Sequence, residues 1–158
     1  MSETRVIGVD VGGSGVKAAL VDVERGELAS DRPRLDTPQP ATPERVADAV
    51  AQLVDRLGGA PTIGVTIPGV VRNGVVRTAA NIDPSWIGTD ARALFSKRLE
   101  APCVVLNDAD AAGLAEMRFG AGKGRSGVVI LLTLGTGIGS ALFVDGELVP
   151  NTELGHME

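Results

Sequence analysis

Short apolar runs recur along the chain, and each is bounded by glycine-rich or polar residues, a pattern typical of buried strands. The runs that predict strands cover Arg5–Val11, Val16–Val21, Glu27 to about Leu35, Thr62–Ile67, Cys103–Leu106 and Val128–Leu134, followed by strands that end at Val144 and Val149. Asn73-Gly74, within a polar segment, is a signal for a type I′ hairpin turn. Helical segments alternate with these strands, so the pattern predicts an α/β fold with a mixed sheet.

The clearest helix follows a proline-rich loop that ends at Thr42. Its apolar residues recur at helical spacing, at Val46, Val50, Leu53, Val54 and Leu57. Thr42 is placed to cap this helix with Pro43 at the first helical position, and Gly58-Gly59 predicts its end.

Two further helices are predicted on either side of the fifth strand. One runs from Asp90 to Leu99 with Thr89 or Asp90 as its cap, and the other follows Asp110 and ends near Phe119. The single tryptophan, Trp86, precedes the first of them, and we expect it to be a packing anchor.

One internal repeat stands out, because Val6–Asp22 aligns without gaps with Val129–Asp145. Identical residues stand at Val6, Ile7, Gly12, Ala18, Val21 and Asp22 and at their counterparts. Both copies have the pattern of a strand, a glycine-rich turn, a strand and a tight turn, so we favour a duplication.

The repeat divides the chain into a first domain over residues 1–112 and the start of a second over residues 113–158. The second copy is followed by few residues and no helix, so its apolar strands are expected to lie uncovered. We therefore expect an incomplete second domain, in a fragment or in a chain that borrows cover from a partner.

Charge and cysteine content exclude several classes of partner. The net charge of −5 and the aromatic content of 3% do not suit nucleic acid or an anionic membrane. A lone Cys103 makes neither an internal disulfide nor a multi-cysteine zinc site, which favours a reducing cytoplasm.

Two glycine-rich turns are candidate phosphate sites, because backbone N–H groups can approach a phosphate where no Cβ blocks them. The first follows Asp10, a carboxylate that could hold Mg²⁺ through water, and the second has the hydroxyl of Thr133 at the position that corresponds to Asp10. The candidate phosphate-binding residues are Asp10, Gly12, Gly13, Ser14, Gly15, Lys17, Thr133, Gly135, Thr136, Gly137 and Gly139. Each turn alone could be an ordinary hairpin; the pair suggests a phosphate chain held between two domains.

The segment Asn107-Asp108-Ala109-Asp110 lies where a strand enters a helix, a place where a carboxylate can serve as a general base. A kinase needs one such base, because the rest of phosphoryl transfer is positioning and charge stabilisation. We expect Asp108 to be the base and Asp110 to cap the helix or to support the site.

Two further polar segments could bind hydroxyl groups. Glu153 and His156 stand three residues apart in a glycine-containing turn, although a lone histidine is more often structural. Asn81 lies in the loop before Trp86.

Taken together, these residues resemble the ROK family (repressors, open reading frames and sugar kinases) of the actin-like ATPase superfamily. Asp10–Lys17 resembles its first phosphate motif, Leu132–Ser140 its second, and Glu153–His156 its E-x-G-H sugar motif. The resemblance implies an actin-like ATPase (ribonuclease H-like) fold, with a complete first domain and the opening strands of a second. It also implies Asp108 as catalytic base and, as glucose contacts, Asn81, Asn107, Asp108, Glu153 and His156.

Individual sequence segments, such as Arg77–Asn81 and Pro150–His156, are similar to those of the polyphosphate glucokinases of this family. That implies phosphorylation of glucose at its 6-hydroxyl with inorganic polyphosphate or ATP, with Mg²⁺ and without zinc, and a homodimer in the full-length form. Two alternatives remain open: an ATP-dependent hexokinase for another sugar (N-acetylglucosamine, mannose or fructose), and a truncated, non-catalytic sugar-binding module.

Overall fold

The computed structural model of the 158-residue chain describes residues 5–79, 81–135 and 137–156. Of residue 156 it describes the backbone only. The strands are β1 (Arg5–Val11), β2 (Gly15–Asp22), β3 (Glu27–Leu28), β4 (Arg34–Asp36), β5 (Ile63–Ile67), β6 (Val71–Arg72), β7 (Val75–Val76), β8 (Cys103–Asn107), β9 (Val128–Leu134), β10 (Ile138–Val144) and β11 (Glu147–Val149). The helices are α1 (Pro43–Arg56), α2 (Ala91–Leu99) and α3 (Asp108–Phe119), with 3₁₀ turns at Pro84–Trp86 and Leu154–His156. None of the helices in these ranges has the length and apolar character to cross a bilayer. The chain divides into two compact units, one ending at Leu106 and the other beginning at Asn107.

The first unit is built on a mixed sheet in the order β3-β2-β1-β5-β8, with β4 also paired to β2. Strand β1 pairs antiparallel with β2 and parallel with β5, so the predicted mixed α/β architecture is confirmed. Alternate residues of β1 are buried, which places Ile7, Val9 and Val11 in the core of this unit.

Helix α1 confirms the apolar spacing that predicted it. Val46, Val50 and Leu53 are fully buried, because residues three and four apart share one face of a helix. Pro43 is the first helical residue, as expected, but the Thr42 side chain makes no capping hydrogen bond. The helix ends before Gly58-Gly59, whose positive φ angles of 80° and 72° suit glycine.

The prediction of one continuous third strand is wrong. The segment from Glu27 to Leu35 forms two short strands, β3 and β4, that pair with opposite ends of β2. Between them the Ser30 hydroxyl accepts a hydrogen bond from the Leu20 amide at 2.9 Å, and Pro33 has no N–H to donate to a ladder. A side chain and a proline therefore interrupt this edge of the sheet.

Trp86 is the packing anchor that the sequence predicts. It is fully buried, its ring centroid lies 6.0 Å from that of Phe95, and its indole N–H donates to the Ala41 carbonyl at 2.8 Å. The loop that contains Asn81 is thereby fixed to the core close to that residue.

The second unit has a three-stranded sheet in the order β11-β10-β9 with α3 packed on β10. Gly113 allows the close approach of this helix, because a Cβ there would lie 2.7 Å from the Ala141 Cβ. The other face of β9 is exposed at Val128, Ile130, Leu132 and Leu134, the last at 82%. The expectation of uncovered apolar positions in the second copy is therefore confirmed for β9.

Both copies of the repeat form antiparallel hairpins, but their pairings differ by one residue. In the gapless alignment β1 corresponds to β9, residue for residue. Val11 pairs with Val16 across the first turn, whereas Leu134 pairs with Ile138 and not with Gly139, the counterpart of Val16. The second glycine-rich turn is one residue tighter than the first.

The buried face of α1 predicts a large difference between two neighbouring substitutions. Leu53→Ala removes a fully buried side chain and should lower the free energy of unfolding by about 2–5 kcal/mol. Gln52→Ala, on the exposed face, should change it by less than about 0.5 kcal/mol. Urea unfolding followed by the fluorescence of Trp86, the only tryptophan and a member of the same unit, measures both. Equal effects of the two variants would contradict this orientation of the helix.

Candidate active site

The first glycine-rich turn is held in shape by Thr37. The Gly12 amide donates to the Gly15 carbonyl at 3.0 Å and closes the turn. The buried Thr37 donates its hydroxyl to the Gly12 carbonyl at 2.5 Å and its amide to the Ser14 carbonyl at 3.3 Å. Gly13 and Ser14 remain exposed, so the tip of this turn is both fixed and accessible. Thr37 carries no sequence signal for this contact, and sequence reasoning missed it.

Asp10 lies in a row of polar residues across three strands. It pairs in register with Lys17 on β2 and with Thr66 on β5, and cross-strand partners share one face of a sheet. The Lys17 ammonium is 3.5 Å and the Arg32 guanidinium 3.8 Å from its Oδ2 atom, and the Thr66 hydroxyl donates to Oδ1 at 3.3 Å. The predicted pair of Asp10 and Lys17 is brought together, whereas Thr66 and Arg32 were not predicted.

The Asp10 carboxylate suits the Mg²⁺ role that the sequence suggests. It is a single carboxylate with a side chain 48% exposed, and Mg²⁺ usually keeps several waters while binding one or two carboxylates and substrate phosphates. Within residues 5–79, 81–135 and 137–156 no group of three or more His, Cys, Asp or Glu could hold a metal ion. A single exposed carboxylate is compatible with a water-mediated role in which phosphate oxygens are further ligands.

The second glycine-rich turn is open on its outer side. The Gly135 amide donates to the Gly137 carbonyl at 3.0 Å, and a Cβ at either glycine would meet no atom within 4 Å. Gly139 lies against the Thr133 hydroxyl and within 3.1 Å, measured from an added Cβ, of the Ala109 Cβ. Thr136, also a predicted phosphate-binding residue, lies outside the described residues.

Asn107 ends β8 and caps α3, so of the two roles expected for Asp110, the capping role is wrong. Its Oδ1 atom accepts from the Asp110 amide at 3.0 Å. Its Nδ2 group donates to Glu153 Oε1 at 2.9 Å. The side chain is 3% exposed, and both of its ends take part in hydrogen bonds within the second unit.

Asp108 occupies the first turn of α3 and is exposed. Its Oδ1 atom accepts from the Ala109 amide at 2.9 Å. The unpaired N–H groups at a helix N-terminus favour negative charge on such a carboxylate. The position is suitable for a general base that must be accessible to a substrate hydroxyl.

The segment from Asn151 to Gly155 brings Glu153 to Asn107. Ser140, which is 3% exposed, accepts from the Leu154 amide at 2.9 Å and donates its hydroxyl to the Thr152 carbonyl. Gly155 lies against the Ile138 carbonyl, where any Cβ would overlap with backbone. The contact requires glycine at this position of the predicted E-x-G-H motif. The side chain of His156 lies outside the described part of the chain.

Asp110 is buried and supports the same segment. It is 2% exposed, and its Oδ2 atom accepts from the Asn151 amide at 2.8 Å. Its Oδ1 atom is buried and has no hydrogen-bond partner among the described residues. Burial, together with the nearby charge of Glu153, raises the pKa of the Asp110 carboxyl above its ordinary value of 3.8, against the lowering effect of the Asn151 amide.

The predicted sugar contacts are divided between the two units. Asn107, Asp108 and Glu153 lie in the second, whereas Asn81 lies in the first, with its carbonyl 2.8 Å from the position of a Cβ added to Gly13. The structure thus joins Asn107 with Glu153, and the loop of Asn81 with the first glycine-rich turn.

The sequence is similar to those of proteins of one known family. Residues 6–158 match the model of the ROK family. The chain is 57% identical over 158 residues to a polyphosphate glucokinase of Mycobacterium leprae and 59% identical over 152 residues to one of Mycobacterium tuberculosis. These alignments cover 99% and 96% of the chain but 49% and 57% of the two relatives, so the chain spans about half their length.

Two solved structures of sugar kinases are also similar to this chain. An inorganic polyphosphate/ATP-glucomannokinase from Arthrobacter sp. strain KM is 54% identical with a TM-score of 0.94, over 98% of this chain and 64% of that one. A ROK family glucokinase from Streptomyces griseus, in complex with glucose and AMPPNP, is 35% identical with a TM-score of 0.86, over 98% and 50%. The predicted fold class, the actin-like ATPase fold, is confirmed.

The buried carboxyl of Asp110 predicts a pH-dependent effect on stability. A carboxyl whose pKa is raised in the folded state costs stability as pH rises from 3.8 through the raised value, because only the folded state resists its ionisation. Asp110→Asn removes that charge and keeps an oxygen for the Asn151 amide. We expect it to raise the melting temperature at pH 7, by an amount that shrinks towards pH 4.

Asp110→Ala serves as the counterpart, since it leaves the Asn151 amide without its acceptor. It should destabilise the protein by about 1–3 kcal/mol. Calorimetric melts of both variants across this pH range measure the effects, and a benefit of Asp110→Asn that is independent of pH would contradict the explanation.

Proposed function

We propose that this chain, which belongs to the ROK family, carries phosphoryl-transfer and sugar-binding residues of a glucokinase that forms glucose 6-phosphate with inorganic polyphosphate or ATP as donor. The observation that carries the proposal is the 2.9 Å hydrogen bond between Asn107 and Glu153, which joins two segments that are 46 residues apart. It places the carboxylate of the predicted sugar motif beside the strand end that presents Asp108.

The sugar side of the reaction uses Asn107, Asp108 and Glu153, with Asn81 and His156 as further contacts. Carboxylate oxygens accept hydrogen bonds from hydroxyl groups, and charge-assisted bonds of this kind are stronger than neutral ones. Since Glu153 is held by Asn107, its orientation is set before a sugar arrives, which reduces the cost of ordering on binding.

Asp108 acts as the general base. Its exposed carboxylate accepts the proton of the 6-hydroxyl as that oxygen forms a bond to the terminal phosphorus of the donor. The bond from that phosphorus to the bridging oxygen breaks at the same time, and the shortened donor leaves with the electron pair. The amide of Ala109 orients the carboxylate through its 2.9 Å hydrogen bond.

The donor side uses the two glycine-rich turns. The tip at Gly13 and Ser14 presents backbone to phosphate oxygens in a shape that Thr37 fixes, and the open turn at Gly135 and Gly137 offers a second such surface. Lys17 adds a positive charge beside the first turn. Mg²⁺, held by Asp10 through water, would supply neutralisation of the phosphate charges.

A second candidate acceptor is mannose. The Arthrobacter structure, at 54% identity, is described as a glucomannokinase. A binding site distinguishes sugars that differ in the configuration of a hydroxyl through the hydrogen bonds that this hydroxyl makes. Kinetic assays with glucose, mannose, fructose and N-acetylglucosamine therefore distinguish the candidate acceptors.

Two further parts of the proposal concern the cellular location and the oligomeric state of the protein. We propose a cytoplasmic enzyme, supported by the single, buried and unbridged Cys103. We also propose that the protein forms a homodimer, which rests on the family resemblance.

Replacement of the base tests the proposal. In a chimera in which this chain replaces the matching segment of the Mycobacterium leprae relative, Asp108→Asn should lower kcat for glucose 6-phosphate formation about 10²–10⁴-fold. The KM for glucose should change much less, because the amide keeps the shape of the side chain.

Asp55→Asn on the exposed face of α1 is the matched control and should leave both constants unchanged. The chain alone is assayed in parallel with polyphosphate and with ATP. Near-normal turnover by Asp108→Asn would rule out Asp108 as the base, and a chimera without any sugar kinase activity would overturn the proposed reaction.

A further inference from the structure

The segment that carries Glu153 is held by side chains that the sugar motif itself does not include. Residues 151–155 contact three side chains of the second unit: Asn107, Asp110 on α3 and Ser140 on β10. Two of these three side chains, Asp110 and Ser140, have no part in the reaction described above. Their contacts are to backbone, so they act on the course of the chain and not on a substrate.

Asp110 holds the start of this segment. Its Oδ2 atom accepts from the Asn151 amide at 2.8 Å, two residues before Glu153. Asn151 has a φ angle of 60°, in the left-handed region that a non-glycine residue adopts at some cost. Asp110 is 2% exposed, so loss of the hydrogen bond from the Asn151 amide would leave a buried carboxyl oxygen without its donor, and this cost stabilises the conformation.

Ser140 holds the middle of the segment. It accepts from the Leu154 amide and donates to the Thr152 carbonyl, the two residues on either side of Glu153. The backbone is therefore fixed on both sides of Glu153. These bonds hold its carboxylate where it accepts the hydrogen bond from Asn107.

We propose that Asp110 is a positioning residue for Glu153: through the Asn151 amide it fixes the backbone of residues 151–155, so that the Glu153 carboxylate is held against Asn107 and oriented towards the sugar. The inference rests on the proposed function and adds to it the group that controls the sugar-binding carboxylate. Asp110 touches no substrate in this role. A displacement of about 1 Å in a positioned group is enough to weaken binding or turnover severely.

Steady-state kinetics of the chimera separates positioning from a general structural role. Asp110→Ala should raise the KM for glucose roughly tenfold or more, with a smaller change in kcat and no change in the KM for polyphosphate or ATP. Asp110→Asn, which keeps an oxygen for the Asn151 amide, should restore a glucose KM within about threefold of the parent. A variant that is merely less stable loses active enzyme, which lowers kcat and leaves both KM values unchanged.

The matched control is Asp90→Ala at the N-cap of α2. Asp90 also accepts a backbone N–H at 2.9 Å, from Ala93, but it lies in the first unit and outside the proposed site. It should lose stability without any change in the KM for glucose. If Asp110→Ala does not fold, Ser140→Ala replaces it, because loss of the Ser140 bonds should raise the same KM selectively.

Hydrogen exchange of the Asn151 amide gives a readout that does not depend on catalysis. Exchange should be faster in Asp110→Ala than in the parent chain and close to the parent rate in Asp110→Asn. If the chimera binds glucose in calorimetry but does not turn it over, the proposed reaction fails, whereas a selective loss of glucose affinity in Asp110→Ala still supports positioning. Unchanged glucose KM and affinity in a folded Asp110→Ala, or absence of glucose binding in the parent, would overturn the inference.

Discussion

The side chain of Asn107 is the constraint on which the candidate site depends. Its carbonyl oxygen begins α3 by accepting the Asp110 amide, and its amide nitrogen holds Glu153. This one side chain therefore caps the helix that begins with Asp108 and holds Glu153, which lies 46 residues further along the chain. An alanine at this position would lose both, since neither a helix cap nor a link to a carboxylate can be supplied by a methyl group. Burial at 3% exposure makes both bonds hard for water to replace.

Much of this arrangement could be predicted from the sequence because it is local. The spacing of Val46, Val50 and Leu53 defines a helical face, and Asn73-Gly74 adopts the positive φ angles of 55° and 84° that a type I′ turn requires. The site motifs are local as well, because Asp108 stands next to Asn107 in the chain. Such features depend on neighbours within a few residues, which the sequence displays directly.

The parts that were missed depend on contacts between side chains and distant backbone. Asp110 and Asn151 are 41 residues apart, and nothing in either residue type indicates the other as partner. Asn107 was predicted as a sugar contact and not as the cap of α3, because the two aspartates after it are equally good capping residues. The break between β3 and β4 has the same origin, since Ser30 meets an amide of the neighbouring strand. The one-residue difference between the two repeat hairpins was invisible for another reason: a gapless alignment counts residues, whereas the register is decided by how each turn closes.

The exposed face of β9 has a consequence for how the chain responds to temperature. Val128, Ile130, Leu132 and Leu134 present a continuous apolar stripe, at exposures between 53% and 82%, with no charged residue on the strand. Contact between such surfaces is driven near 25 °C by the entropy of released water, and this drive weakens on cooling. Any contact made through this stripe would therefore strengthen with warming and with salts such as sulfate, and weaken on cooling. The apolar face of β9 thus gives the chain a surface whose attraction for other apolar surfaces is weakest at low temperature and low salt.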